Sequence, residues 1–204
     1  MSARHVRWAG GIWMAVLLVL AVLAPPLGAA EQSLPGLAVA APNLKLSQHV
    51  RDIFHDAAPR LAGLTGGQPH RVKVEVAPDR RSFNQRAKDL GGPEWAAGLA
   101  LPQSGFILLR SPKQLTQPGD FRSLFVHELT HLYLARQLKG RHAPLWLEEG
   151  MAMYAAGQGG LGLASLMTRG VLADRIKPLD GLAHRFPAEA DEAALAYAQS
   201  FYMV

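Results

Sequence analysis

Residues 120–140 have the sequence DFRSLFVHELTHLYLARQLKG. Its apolar side chains recur at spacings of three and four residues, which predicts a largely buried helix. Asp120 follows Pro118 and Gly119 and suits an N-cap, and Gly140 suits the helix end. The stretch therefore predicts one long core helix from Asp120 to about Gly140.

Three ionisable side chains lie within two turns of this apolar helix. His127 and His131 are four residues apart, so their imidazoles share one face and can converge on a single Zn²⁺. Glu128 points to the side of that metal, where its carboxylate can take a proton from a zinc-activated water as a general base. A metal would also satisfy histidines whose burial is otherwise costly. The alternative is a pair of solvated histidines on an exposed helix.

A catalytic zinc needs a third protein ligand and one open position. A second helix is predicted to begin at Pro144, and its opening residues include Glu148 and Glu149. Because the loop 139–143 is short, the two helices should pack as antiparallel or steeply crossed neighbours. This packing brings a carboxylate to the metal, and either glutamate can supply it.

The motif HELTH at 127–131, followed by WLEEGMAMY at 146–154, resembles the gluzincin branch of metallopeptidases. Within that branch it is most similar to the bacterial peptidase-MA-like domains. The resemblance implies that Glu149, directly before Gly150, is the third zinc ligand and that Glu148 occupies a variable position. It also implies one Zn²⁺ per chain and a zincin-like fold.

The resemblance extends to two further segments, each with a second interpretation. Residues 93–100 and 105–112 are similar to a segment that leads into an edge strand above the active site, where a peptide substrate would pair with it. The alternative there is an ordinary buried strand. AYAQSFY, residues 196–202, resembles a late helix in which Tyr197 would hydrogen-bond the oxyanion, the alternative being a core tyrosine with a satisfied hydroxyl.

The sequence departs from the thermolysin-like pattern at one position. That branch has an aspartate four residues after the third ligand, where it orients a ligand histidine, whereas this chain has Met153. The residue that orients the histidine must therefore come from elsewhere. Five of the other six histidines have no spacing relation to the motif and are interpreted as surface or loop residues, namely His49, His55, His70, His142 and His184.

The remaining periodicity predicts an α+β fold, with a small, mostly antiparallel sheet packed beside a helical half that carries the HExxH helix. The predicted elements before that helix are a helix over 44–61 that Pro59 shortens, a strand over 71–76, a helix over 82–90 and a strand over 105–110. Helices are also predicted over 163–173 and from Pro187 onward. The last helix would reach Val204 without a cap, so we expect the domain to continue beyond it.

The N-terminal residues predict export. Arg4 and Arg7 form a basic start, 12–24 is apolar, and small residues precede Glu31, so 1–30 is interpreted as a signal peptide or an N-terminal anchor. Residues 31–42 are interpreted as a linker and 43–204 as the metallopeptidase domain. We therefore expect a periplasmic or extracellular protein, attached to a membrane only if the N-terminal segment is retained.

Composition limits the possible functions. The chain has 204 residues and no cysteine, so a cysteine-based zinc site is excluded. The net charge is a mild +5 and the basic residues are scattered along the sequence, which argues against nucleic-acid binding.

The sequence thus predicts an exported zinc metallopeptidase acting on a peptide or protein substrate. His127, His131 and Glu149 would hold the metal, and Glu128 would be the catalytic base. The first alternative is a catalytically inactive zinc-binding or interaction domain of the cell envelope. The second is a helical domain without metal.

Overall fold

The computed structural model describes residues 36–92, 96–116 and 120–204. The predicted targeting segment 1–30 lies outside the described residues. Within them, the strands are β1 (Gly36–Ala40), β2 (Arg71–Ala77), β3 (Gly98–Leu101) and β4 (Phe106–Arg110). The helices are α1 (Leu44–Thr65), α2 (Arg80–Asp89), α3 (Asp120–Leu138), α4 (Leu145–Ala155), α5 (Leu161–Leu172) and α6 (Ala190–Met203).

The α+β class is confirmed, but the expectation of a mostly antiparallel sheet is wrong. The strand order is β1-β2-β4-β3, and both the β1–β2 and the β2–β4 pairs are parallel. Only β3, at one edge, runs antiparallel to its neighbour β4. Helix α1 carries the chain back to the starting end of the sheet between β1 and β2, whereas after α2 the antiparallel strand β3 makes that return before β4 begins, and the sheet is therefore mixed.

Strand β1 lies inside the segment 31–42, so the interpretation of that segment as a linker is wrong for Gly36–Ala40. Leu37 and Val39 are half-buried against the core. The other residues of the strand, Gly36 and the alanines, have low strand propensity. The alternation of half-buried and exposed residues is therefore hard to recognise from the sequence. Pairing with β2, from Gly36 opposite Arg71 to Ala40 opposite Glu75, creates the strand.

Each predicted helix is found within the described residues, although α6 begins at Ala190 rather than at Pro187. Pro59 does not shorten α1, which continues to Thr65 and ends at Gly66, whose φ of 69° is left-handed. The buried stripe of Ile53, Ala57 and Leu61 continues past the proline on the core side. Across the described ranges, none of the helices has both the length and the apolar character that a membrane crossing requires.

Helix α3 lies at the centre of the structure. Phe121, Phe125, Leu129 and Tyr133 are fully buried on it and belong to the main core cluster. That cluster also contains side chains of α1, such as Phe54, and of the sheet. Because one side of α3 is fixed in this way, the position of every side chain on its other side is fixed as well.

We expect a Phe125→Ala substitution to lower the free energy of unfolding by about 3–5 kcal/mol, since it leaves a cavity in the main core. Urea denaturation followed by circular dichroism measures this loss. Leu44→Ala is the matched control, because Leu44 is 85% exposed and its truncation should change the stability by less than about 0.5 kcal/mol. Equal effects of the two substitutions would contradict this account of the core.

Candidate metal centre

The structure brings together the three side chains that the sequence predicted as metal ligands. One potential ligand atom from each of His127, His131 and Glu149 lies within 4.8 Å of the other two. His127 Nε2 is 3.3 Å from Glu149 Oε2, and His131 Nε2 is 3.8 Å from Glu149 Oε1. The imidazoles come from successive turns of α3, and the carboxylate comes from α4.

The position of Glu149 depends on how α4 is held against its neighbours. The chain turns between α3 and α4 through Lys139 and Gly140, both with positive φ, at 51° and 84°. Gly150 then lies directly against α6: a Cβ at this position would be 2.3 Å from the backbone oxygen of Ser200. The glycine that follows the glutamate therefore permits the close α4–α6 contact that fixes α4.

The donor set fits a small divalent metal ion. Ligands bound at about 2.0–2.1 Å in a tetrahedron are about 3.3–3.4 Å apart, close to the separations between Glu149 and the two histidines. Both imidazoles present Nε2 to the carboxylate, so the three donors point toward one place. Three protein ligands leave a fourth position, which is the arrangement of catalytic sites.

The electrostatics of the cluster depend on burial and on the Glu149 charge. Burial lowers the pKa of His131 to about 4, which keeps this imidazole neutral as a metal ligand must be. Burial also opposes protonation of His127, but the hydrogen bond and charge of Glu149 outweigh it and raise the pKa of His127. The same contact outweighs burial at Glu149 and lowers the pKa of its carboxyl.

Glu148 lies outside the cluster. Its Oε1 accepts the backbone N–H of Ala143 at 3.2 Å, a contact that ties the start of α4 to the preceding loop. Burial is the main cause that raises the pKa of this carboxyl. The geometry thus separates the two adjacent glutamates, with Glu149 beside the histidines and Glu148 holding the loop.

Glu128 lies between the histidines and the edge strand β3. Its carboxylate accepts a hydrogen bond from the backbone N–H of Ala100, and burial raises its pKa to about 7. Gly98 provides the necessary space, since a Cβ there would be 2.6 Å from Glu128 Oε1. The Glu128 carboxylate is therefore next to the three candidate metal ligands without being one of them.

Gln158 is a site residue that the sequence reasoning missed. Its Oε1 lies 3.1 Å from His127 Nδ1, so the ring N–H can donate to the amide oxygen and leave Nε2 free for a metal. The residue follows Gly157, whose φ is 67°, and its backbone N–H donates to the Met153 carbonyl oxygen. A polar residue between glycines directly after α4 was the available signal.

Tyr197 lines the same cleft from α6. Its ring makes an edge-to-face contact with Phe186, with the ring centroids 4.8 Å apart. Burial, with smaller contributions from the charges of Glu149 and Glu128, raises its pKa to about 12. Because its hydroxyl has no hydrogen-bond partner among the described residues, the alternative of a core tyrosine with a satisfied hydroxyl does not describe it.

The cluster opens into a cleft of about 1050 Å³. Strand β3 forms one side of it, and its outer edge is free of any other strand among the described residues. The N–H of Arg110 donates to the Ala97 carbonyl, so Ala97 directs its backbone groups toward β4. Because successive residues of an edge strand alternate between facing the neighbouring strand and facing away from it, Gly98 and Ala100 direct their backbone groups away from β4.

The five histidines that were interpreted as surface or loop residues are all exposed. Two of them, His70 and His142, also line this cleft.

Residues 54–204 match the family model of the peptidase MA superfamily. The match covers about three quarters of the chain and includes His127, Glu128, His131 and Glu149. No curated protein matches the chain.

We expect Gln158→Ala to weaken divalent-metal binding about 10- to 100-fold, because His127 would lose the hydrogen bond that orients its ring. Zn²⁺ titration in competition with a chromophoric chelator measures the affinity. Gln158→Glu keeps an acceptor oxygen and should restore most of the affinity. Gln103→Ala, an exposed glutamine elsewhere in the cleft, is the matched control. If Gln158→Ala binds as tightly as the parent protein, this positioning role is wrong.

Proposed function

This chain belongs to the peptidase MA superfamily, and from that premise we propose that it is a zinc-dependent metallopeptidase. The observation that carries the proposal is the convergence of His127, His131 and Glu149, with the Glu128 carboxylate beside them. Two imidazoles and one carboxylate form a donor set typical of catalytic zinc. Zinc is therefore the metal that we expect this centre to hold, at one ion per chain.

A bound zinc ion would supply Lewis-acid chemistry, lowering the pKa of a water molecule and polarising the substrate carbonyl. Glu128 takes the proton from the attacking water as its oxygen bonds to the carbonyl carbon. The same carboxyl then donates that proton to the leaving amine nitrogen as the C–N bond breaks. Burial that raises the pKa of Glu128 to about 7 suits both directions of this transfer near neutral pH.

The free edge of β3 supports a mode of substrate binding. Gly98 and Ala100 direct their backbone groups toward the cleft, where an extended peptide can add as a further strand. The Ala100 N–H, which donates to Glu128 in this structure, is one of those groups. Backbone pairing at this edge would hold a peptide bond beside Glu128 without selecting particular side chains.

Tyr197 supplies a donor for the oxyanion that forms when water adds to the carbonyl. Its hydroxyl is not used by another described residue, and its high pKa keeps it protonated over the working range. A developing negative charge on the carbonyl oxygen would accept this hydrogen bond. The hydroxyl would therefore be a catalytic group rather than a structural one.

The location of the protein is part of the proposal. The basic, apolar and small-residue segments within 1–30 support export to the periplasm or the cell exterior. Fractionation of the producing cells should recover the protein outside the cytoplasm, and N-terminal sequencing should start near Glu31 if the segment is cleaved. Recovery only in the cytoplasmic fraction would contradict export.

We expect Glu128→Gln to keep one zinc per chain and to lose at least about 100-fold in kcat on casein or a peptide library, because the amide cannot accept the proton. His131→Ala is the contrasting variant, since it should lose the metal together with activity. His184→Ala, which changes an exposed histidine, is the control for both. Zinc content is measured by atomic emission.

The outcomes of this experiment separate the proposed peptidase from its alternatives. Equal behaviour of the parent and Glu128→Gln proteins, both with zinc, would favour the inactive zinc-binding domain. Absence of zinc from the parent protein would favour a helical domain without metal.

In the same assay, Tyr197→Phe should lower kcat by about 10-fold or more while leaving KM and zinc content unchanged.

A further inference from the structure

The cleft extends beyond the metal centre into an end lined by basic residues. Six of them come from three separate segments, the start of β2, the end of α3 and the loop between α3 and α4: His70, Arg71, Arg136, Lys139, Arg141 and His142. All six are exposed. We call this region the basic end of the cleft.

The charge of the cleft is asymmetric. Among the described lining residues, the carboxylates are Glu128, Glu148 and Glu149, all at or next to the centre. The described residues beyond the centre in the other direction, such as Leu124, Met153 and Gln158, include no cation. A bound chain would therefore meet strong positive potential on one side of the centre only.

The cations of the basic end are not neutralised within the described part of the protein. The ion pairs found there join other residues, and none of Arg71, Arg136, Lys139 and Arg141 has a carboxylate within 4.0 Å. Arg136 Nη2 lies 2.7 Å from His70 Nε2, and Arg141 Nε donates to the Leu138 carbonyl at 3.3 Å. These contacts position the guanidinium groups but leave their charge available to a ligand.

The basic end lies at a defined distance from the metal ligands. Arg136 is five residues after His131 on α3, and Leu138, the last residue of the helix and the neighbour of Lys139, is seven residues after it. At 1.5 Å per residue these separations are about 7.5 Å and about 10.5 Å along the helix axis. An extended peptide advances about 3.3 Å per residue. The basic end is therefore about two to four substrate residues from the bond that would be cleaved.

The edge strand leads into this region. β3 runs from Gly98, which lies against Glu128, to Leu101 and continues into the 3-10 turn Pro102–Ser104, which lines the cleft. Gly105, the next residue, lies against Arg71 of the basic end, since a Cβ at Gly105 would be 2.4 Å from the Arg71 backbone oxygen. A peptide paired with the free edge of β3 therefore continues toward the cations.

We propose that the basic end of the cleft binds an acidic segment of the peptide substrate, two to four residues from the scissile bond and on one side of it only. This inference rests on the proposed function, and it adds the class of substrate. A peptide is favoured over a nucleic acid because the basic end has no phenylalanine, tyrosine or tryptophan among its described lining residues on which bases would stack.

The first experiment measures binding, so that it does not depend on hydrolysis. The probes are three fluorescein-labelled, alanine-rich peptides that differ only in carrying three Glu, three Gln or three Lys residues. Each peptide is titrated with the zinc-loaded Glu128→Gln protein, and binding is followed by fluorescence anisotropy. We expect the Glu peptide to bind at least about fivefold more tightly than the Gln peptide. This difference in affinity should become smaller between about 50 and about 500 mM salt, because salt screens the attraction between the glutamates and the basic end. The Lys peptide should bind most weakly.

Two double variants localise the effect. Arg136→Gln with Arg141→Gln should reduce the affinity for the Glu peptide about five- to twentyfold and leave the Gln peptide unchanged. Arg80→Gln with Arg81→Gln removes the same charge from exposed positions on α2, outside the cleft, and should change neither affinity. Circular dichroism and zinc content verify that both variants are folded and loaded.

The second experiment uses the parent protein and a peptide library, with cleavage sites read by mass spectrometry. Enrichment of Asp and Glu at the second to fourth position on one side of the cleaved bond supports the proposal. Equal binding of the Glu and Gln peptides, or equal losses in the two double variants, would overturn it. So would tighter binding of a single-stranded oligonucleotide than of the Glu peptide. If no peptide is cleaved but the binding differences persist, the proposed peptidase function fails while the acidic specificity stands.

Discussion

The burial of one side of α3 fixes the positions of the side chains that form the candidate metal centre. Phe121, Phe125, Leu129 and Tyr133 are fully buried in the main core, so the helix can neither rotate nor slide without exposing them. His127 and His131 lie on the same rigid helix and therefore keep a fixed separation. Their ring centroids are 5.0 Å apart before any metal is considered. The packing of the hydrophobic core thus fixes the relative positions of the two imidazoles, as a metal centre requires.

The third donor depends on a second packing contact. Glu149 reaches the histidines because α4 packs against both α3 and α6, and Gly150 allows the backbone of α6 to approach where a side chain would collide with Ser200. Gln158 belongs to the same assembly, since the turn after α4 brings it back to His127. The cluster of His127, His131 and Glu149 is therefore a product of helix packing, and the sheet contributes the neighbouring edge strand that contacts Glu128.

Local sequence patterns predicted the parts of this protein that depend on one element at a time. The positions of His127, Glu128 and His131 follow from the pitch of a single helix, and α3 itself follows from its apolar spacing. Glu149 required a resemblance, because the spacing alone allowed Glu148 as well. The mixed sheet was missed because β1 becomes a strand only through pairing with β2. Gln158 was missed for a related reason: its role depends on a turn that returns to another helix.

The same reasoning applies to charge. Along the sequence the lysines and arginines are scattered, and this scatter was the ground for arguing against nucleic-acid binding. In the fold, Arg136 contacts His70, which lies 66 residues earlier in the chain, and both line the cleft with Arg71, Lys139 and Arg141. The sheet and α3 bring these distant segments to one end of the cleft. Charge counted along a chain therefore measures its balance but not its distribution, and it is the distribution that a substrate meets.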